Sequence, residues 1–117
     1  MDFEVKRLFF TLLFNLDDFV GDLNKFYNVR FNSSHPLVES INEYKSTILL
    51  TINTLECNNY EIPSGYKELL SVSKYLVENL FIDNHINEYL YCEHINSFME
   101  VLDLFNDSFD VSDIFYK

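Results

Sequence analysis

The chain of 117 residues has no tryptophan, two glycines, two prolines, two cysteines, and eight Lys and Arg against nineteen Asp and Glu. Each shortage removes a class of answer. An all-β domain needs many tight turns, and turns draw on residues that tolerate special dihedrals, glycine above all. Two glycines do not supply them. Cys57 and Cys92 stand alone, without a CxxC or the spacing of a disulfide framework, so both are read as reduced thiols of a cytoplasmic protein. Phosphate binding needs clustered Lys and Arg. Their scarcity argues against nucleic acid and against an anionic membrane as ligand. No apolar run approaches the ~18 residues of a membrane span. The opening MDFEVKRLFFTLLF carries Asp2 and Glu4 ahead of its apolar run and no small-residue cleavage site, so it is not read as a signal peptide.

Catalytic signatures are also missing. There is no GxGxxG, no Gly-rich phosphate loop, no HExxH and no GxSxG. Asp17, Asp18 and Asp22 cluster on one side of an expected helix, but acid–base work needs a cleft and a shifted pKa, so they are read as a solvated face. His85, Glu88 and Cys92 fall at i, i+3, i+7 and would share a helix face, the beginning of a zinc site. No fourth ligand is identifiable, and the plainer reading is a helix-start histidine and a semi-buried cysteine. No catalytic, cofactor or metal site is expected.

What is present points to helices. A hydrophobic fraction of 48%, with twelve Phe and eight Tyr, is enough to build one core in one domain. A chain this size buries roughly two thirds of its unfolded surface. Val5, Leu8, Phe9, Leu12, Leu13, Leu16, Phe19, Val20, Leu23 and Tyr27 recur at the spacing of one helix face, predicting a first helix over about 4–27. Phe3, Phe10 and Phe14 lie off that face, which favours a central place in the bundle over an interface. Gly21 within it would allow close helix packing. A second helix starts near Ser34–Pro36, with Ser34 as N-cap and Leu37, Ile41, Tyr44, Ile48, Ile52 and Leu55 as its stripe. The β-branched STILLTINT could form a strand over 47–54, but the helical pattern on both sides decides for helix. Ser64 can cap a third helix facing inward through Tyr66, Leu69, Leu70, Ser73, Leu76, Val77 and Leu80. Asp83 or Asn84 can cap a fourth over about 85–106, with Tyr91, Ile95, Phe98, Met99, Leu102 and Phe105 facing in. A short fifth helix would follow, pinned by Phe109, Ile114 and Phe115. Short connections favour antiparallel neighbours, hence an all-α, four-helix-bundle-like single domain.

The charge is uneven. Residues 1–74 hold ten acids and seven bases, net −3; residues 75–117 hold nine acids and Lys117 alone, net −8. At 100° per residue, Glu93, Glu100, Asp103, Asp107 and Asp110 fall within about 100° of arc, opposite Phe98, Leu102, Phe105 and Phe109. Like charges at i,i+3 and i,i+4 weaken a helix, and acids in its last turn oppose the dipole. Local stability does not account for this stripe. It is either a solvated acidic face or a surface shaped for a basic protein partner, where complementarity raises association rate. Tyr60, Tyr89 and Tyr116 fall off the core stripes and are candidate contacts.

Residues 42–76, NEYKSTILLTINTLECNNYEIPSGYKELLSVSKYL, resemble the middle of small helical bacterial toxin-immunity proteins of the Maf and contact-dependent growth inhibition type. The matching residues are Glu43, Tyr44, Leu55, Glu56, Glu61, Ile62, Pro63 and Tyr66. The resemblance covers under a third of the chain and leaves the first and fourth helices without counterparts. It implies an acidic cytoplasmic protein that neutralises a basic toxin domain, often a nuclease, by blocking its active site. The charge reasoning agrees: carboxylates laid where phosphates bind would compete directly. Glu93, Glu100, Asp103, Asp107 and Asp110 would then meet the partner, with Tyr89 and Phe10 as apolar anchors. The alternatives are a phage or viral inhibitor of a host nucleic-acid enzyme, or a structural or regulatory oligomer subunit. A weak homodimer is compatible with the broad apolar face of the first helix.

Overall fold

The computed structural model describes residues 2–29 and 35–108. Four helices dominate: α1 (Phe3–Asn28), α2 (Leu37–Cys57), α3 (Ser64–Leu80) and α4 (Glu88–Ser108). Between α3 and α4 lies a two-stranded hairpin, β1 (Phe81–Ile82) and β2 (His85–Ile86). The described part forms an all-α bundle, α1 packing against α2 and α4, and α3 against the same two. Tyr27 lies beside Cys92, Asn24 beside Met99 and Asp17 beside Asn106, so α1 and α4 run antiparallel.

The stripes read from sequence are the core. α1 buries Val5, Phe9, Leu12, Leu13, Leu16, Phe19, Val20, Leu23 and Phe26, the last in place of the expected Tyr27, which is half-buried. Rings lock both ends of the bundle. Phe9 meets Tyr66 edge-on at 4.9 Å between centroids, and Tyr66 meets Phe105 at 5.1 Å. At the other end Phe26 meets Phe81 at 5.7 Å. Offset and edge-on aromatic pairs add about 0.5–1.5 kcal/mol beyond the area they bury.

The β-branched run of α2 is helical throughout. Its hydroxyls are absorbed by the helix: Thr51 Oγ1 donates to the Thr47 carbonyl (2.8 Å) and Thr54 Oγ1 to that of Leu50 (2.9 Å). Ile48, Ile52 and Leu55 then fill the core. Ser34 lies outside the described residues. The Leu37 amide instead donates to His35 Nδ1 at 3.1 Å, so an imidazole satisfies one orphan donor of the helix start.

Several expectations are corrected. Ser64 is the first residue of α3 rather than its cap; Pro63 precedes the helix and its carbonyl accepts the amides of Tyr66 and Lys67. Asp83 and Asn84 do not cap α4. Both have positive φ, 51° and 66°, as the two central residues of a tight hairpin turn. Phe81 and Ile86 are buried by this turn, while Lys45 Nζ on α2 donates to the Phe81 carbonyl (2.6 Å) and Asn42 Nδ2 to Asn84 Oδ1 (2.9 Å). α4 therefore starts three residues late, with Asn87 Oδ1 accepting the Leu90 amide at 3.2 Å. His85 sits in β2, so the expected helix face of His85, Glu88 and Cys92 does not form. α1 buries more residues than any other element, yet it is not covered all round: Phe3 and Phe14 are 44% and 60% exposed. Gly21 is not a packing contact, because a Cβ there would meet nothing within 4 Å. The stretch expected to form a fifth helix, with Phe109, Ile114 and Phe115, lies outside the described residues.

Candidate functional site

α4 divides cleanly between two environments. Tyr91, Ile95, Phe98 and Leu102 are buried, and Phe105 is half-buried against them. Met99, expected in the core, is exposed and sits at the α1 seam with Asn24 Nδ2 3.8 Å from its sulfur. On the opposite side Glu93, Glu100, Asp103 and Asp107 are all exposed. None of the four has an ion-pair partner among the described residues; the ion pairs described there join Arg7 to Glu4 and Lys74 to Glu56. Asp110 lies outside the described residues.

Leu104, 68% exposed, borders the arc of these carboxylates, about 20° beyond Glu93, and sequence reasoning passed over it. The signal was available: Leu104 is out of phase with the inward apolar stripe. Tyr89, 73% exposed, occupies the first turn of α4. Phe10 is half-buried on α1, stacked on Phe14 with centroids 6.4 Å apart. It lies on α1 two helical turns before Asp17 on the same side, past the end of α4 where Asp17 meets Asn106, whereas Tyr89 lies at the other end of α4. Tyr60 is half-buried against the core, and Tyr116 lies outside the described residues.

The acidic surface extends onto α1, which sequence alone did not reveal. Asp17 accepts a hydrogen bond from Asn106 Nδ2 on α4 at 2.8 Å. Partial burial raises its pKa above the ordinary carboxylate value, the Asn106 hydrogen bond opposes that rise, and the charges of Asp103 and Asp18 add to it. Asp22 is raised by burial and by Asp18, against the pull of Lys25. On α2, the Tyr44 hydroxyl is held protonated to higher pH, first by the charge of Asp18 and then by burial, Asp22 and Glu43. One negative field thus runs from α4 across α1 to α2.

Further along the α1–α4 seam, Tyr27 stacks on Tyr91 (4.4 Å, 15°), and the Tyr91 hydroxyl donates to Asn24 Oδ1. The Tyr27 hydroxyl lies 3.8 Å from Cys92 Sγ, a contact that raises the phenol's pKa. Among the described residues no group of three His, Cys, Asp and Glu is placed to hold a metal ion. An open cavity of about 690 Å³ lies at the α2–α3 loop, lined by Asp2, Tyr60, Glu61, Ile62, Pro63 and Lys67. It gathers no nucleophile–base pair. Most residues of the immunity-protein resemblance have structural places: Leu55 is buried, Tyr44 and Ile62 pack against the core, Tyr66 sits between Phe9 and Phe105, and Glu56 lies 3.6 Å from Lys74.

The chain matches no protein-family pattern, no curated protein and no solved structure. No helix among the described residues is long and apolar enough to cross a membrane.

Proposed function

We propose that this chain is an acidic inhibitor of the immunity-protein kind, which binds and neutralises a basic toxin domain in the cytoplasm. A nuclease is the favoured target, because its phosphate-binding surface must be positive. The observation that carries this reading is the outward face of α4, where four exposed carboxylates without an ion-pair partner among the described residues lie beside an exposed leucine. Hydrated acids of this kind bring little stability to the bundle. They favour fast, oriented encounter with a positive surface, and an apolar residue among them supplies contact that excludes water.

A second reading has its own observation. Phe14 and Phe3 are exposed on α1, away from the core, which would suit a weak homodimer or a larger assembly.

The test is affinity capture from the source cells with the tagged full chain beside its Glu100→Lys/Asp103→Lys/Asp107→Lys variant. The expected result is a stoichiometric basic protein held by the native chain and lost with the variant. That protein should be toxic when expressed alone and tolerated when co-expressed with the native chain. Capture of nothing but further copies of the same chain would reject the inhibitor reading in favour of the assembly.

A further inference from the structure

We propose that the groove between α3 and α4 receives an apolar side chain of the basic partner, with Lys or Arg flanking it on the α4 side. The proposal rests on the basic-partner reading above and adds where that partner is held and by what kind of residue. α3 and α4 run antiparallel: Tyr66 in the first turn of α3 meets Phe105 near the end of α4, and the Leu80 carbonyl at the end of α3 accepts the Asn87 amide just before α4. Between them lies an open groove of about 390 Å³, lined by Ser71, Val72, Tyr75 and Leu76 of α3 and His94 of α4. Val72 and Tyr75 are 48% and 54% exposed. Val101, 37% exposed, stands seven residues beyond His94 on the same side of α4, so apolar surface continues along the groove. Val and Tyr are weaker helix formers than Ala, Lys or Glu. Local stability therefore does not account for them on the outside of α3, and the core is filled by residues that point inward.

One bank of the groove is charged and the other is not. Glu93 directly precedes His94 and Glu100 directly precedes Val101, so each groove position on α4 has an exposed carboxylate one step round the helix toward solvent. The cations of α3 are turned to its other side: Lys74 pairs with Glu56 on α2, and Lys67 lines the cavities at the α2–α3 loop. This asymmetry selects the occupant. An apolar side chain fills the groove and expels water, while a Lys or Arg beside it reaches the α4 ridge. A wholly apolar occupant would leave the ridge unanswered. A second copy of the chain would bring its own net charge of −11 to that ridge. The chain's own residues 109–117 would bring Asp110 and Asp113 against Lys117 alone.

The experiment titrates the full chain with three synthetic peptides. The first sets Phe between Lys residues, the second replaces its Phe by Ser, and the third replaces its Lys by Glu. Binding is read from amide chemical shifts at low ionic strength. The Phe–Lys peptide should move the amides of 71–76 and 94–101 and bind about tenfold more tightly than either of the others. Val72→Ser/Tyr75→Ser, at exposed positions, should weaken it about tenfold with the helical signal unchanged, and Tyr75→Phe should retain it. Equal binding of the Ser–Lys peptide would leave the groove no part in recognition, and equal binding of the Phe–Glu peptide would leave the α4 ridge none; either overturns the proposal. So would shifts centred elsewhere, or binding of no peptide. A native dimer that Val72→Ser/Tyr75→Ser dissolves would place a second copy in the groove and overturn it. Shifts at 109–117 caused by that variant without peptide would assign the groove to the chain's own end, with the same consequence. The broader reading is judged apart: if a captured basic protein is held equally by the native chain and by Val72→Ser/Tyr75→Ser, the groove proposal falls and the basic-partner reading stands.

Discussion

α3 and α4 do the same job in the bundle and do it with opposite outer surfaces. Each packs at a corner, and each buries an inward stripe at helical spacing. Outside, α3 carries Lys67 and Lys74 against Glu68 and Glu78, with Lys74 paired to Glu56 on α2. α4 carries Glu88, Glu93, Glu100, Asp103 and Asp107 with no Lys or Arg. The core therefore accepts either charge pattern. What α4 shows to solvent is not dictated by folding, and it weakens its own helix through like-charge neighbours.

If the inward faces are equivalent, truncating either should be equally damaging. Leu80→Ala on α3 and Leu102→Ala on α4 remove leucines that are 0% and 1% exposed. Each should cost about 2–5 kcal/mol, read from urea unfolding midpoints at unchanged m-value. A much smaller loss at Leu102 would mean that α4 is held loosely and its outer face is not a fixed surface.

The inward faces differ in how their polar atoms are satisfied. Ser73 Oγ on α3 is buried and has no hydrogen-bond partner among the described residues. α4 has no such polar atom in its buried stripe. Ser73→Ala removes the orphaned hydroxyl and improves helix propensity, so stability should rise by about 1 kcal/mol. Unchanged or lower stability would place an ordered water on that oxygen.

The same two helices show what a sequence can and cannot disclose. Inward stripes are written in a period of three and four, so α3 and α4 were legible, and so was the acidic arc. The start of α4 was not. Asp and Asn serve both as N-caps and as residues of positive φ, and the choice at Asp83–Asn84 falls to Lys45 and Asn42, about forty positions away. Phe14 was misplaced for a related reason: counting apolar residues around α1 does not reveal which sides have neighbours. Leu104 could have been found as an apolar residue out of phase. The approach of Asp17 to Asp103 could not, because it depends on which helices are adjacent and in which direction they run.

The outer faces should respond differently to neutralisation. Glu100→Gln/Asp103→Asn/Asp107→Asn removes one i,i+3 and one i,i+4 repulsion and should stabilise the chain by about 0.5–1 kcal/mol at low salt. The gain should fade as salt screens the charges. Glu68→Gln/Glu78→Gln on α3 should bring no gain, since those acids lie among lysines. Association of the α4 variant with the captured basic partner should slow about tenfold, and that of the α3 variant should not change.

The subtlest difference is in acid. Burial raises the pKa of Asp17, and Asp103 from α4 and Asp18 from α1 add to it, against the Asn106 hydrogen bond. A carboxyl whose pKa is raised on folding binds its proton more tightly in the folded state. Its contribution to stability therefore grows as pH falls through the folded pKa and levels off below the ordinary value of 3.8. Above that window the charged form disfavours folding. Asp22 acts in the same direction. Mild acidification should thus raise the urea midpoint of the native chain before general acid unfolding sets in. Asp17→Asn should be slightly more stable than the native chain near neutral pH and should show a flatter rise on acidification. Asp103→Asn should reproduce part of that flattening, since it removes one of the charges that hold Asp17 up. An identical pH profile for Asp17→Asn and the native chain would separate Asp17 from the α4 face and confine the negative field to α4 alone.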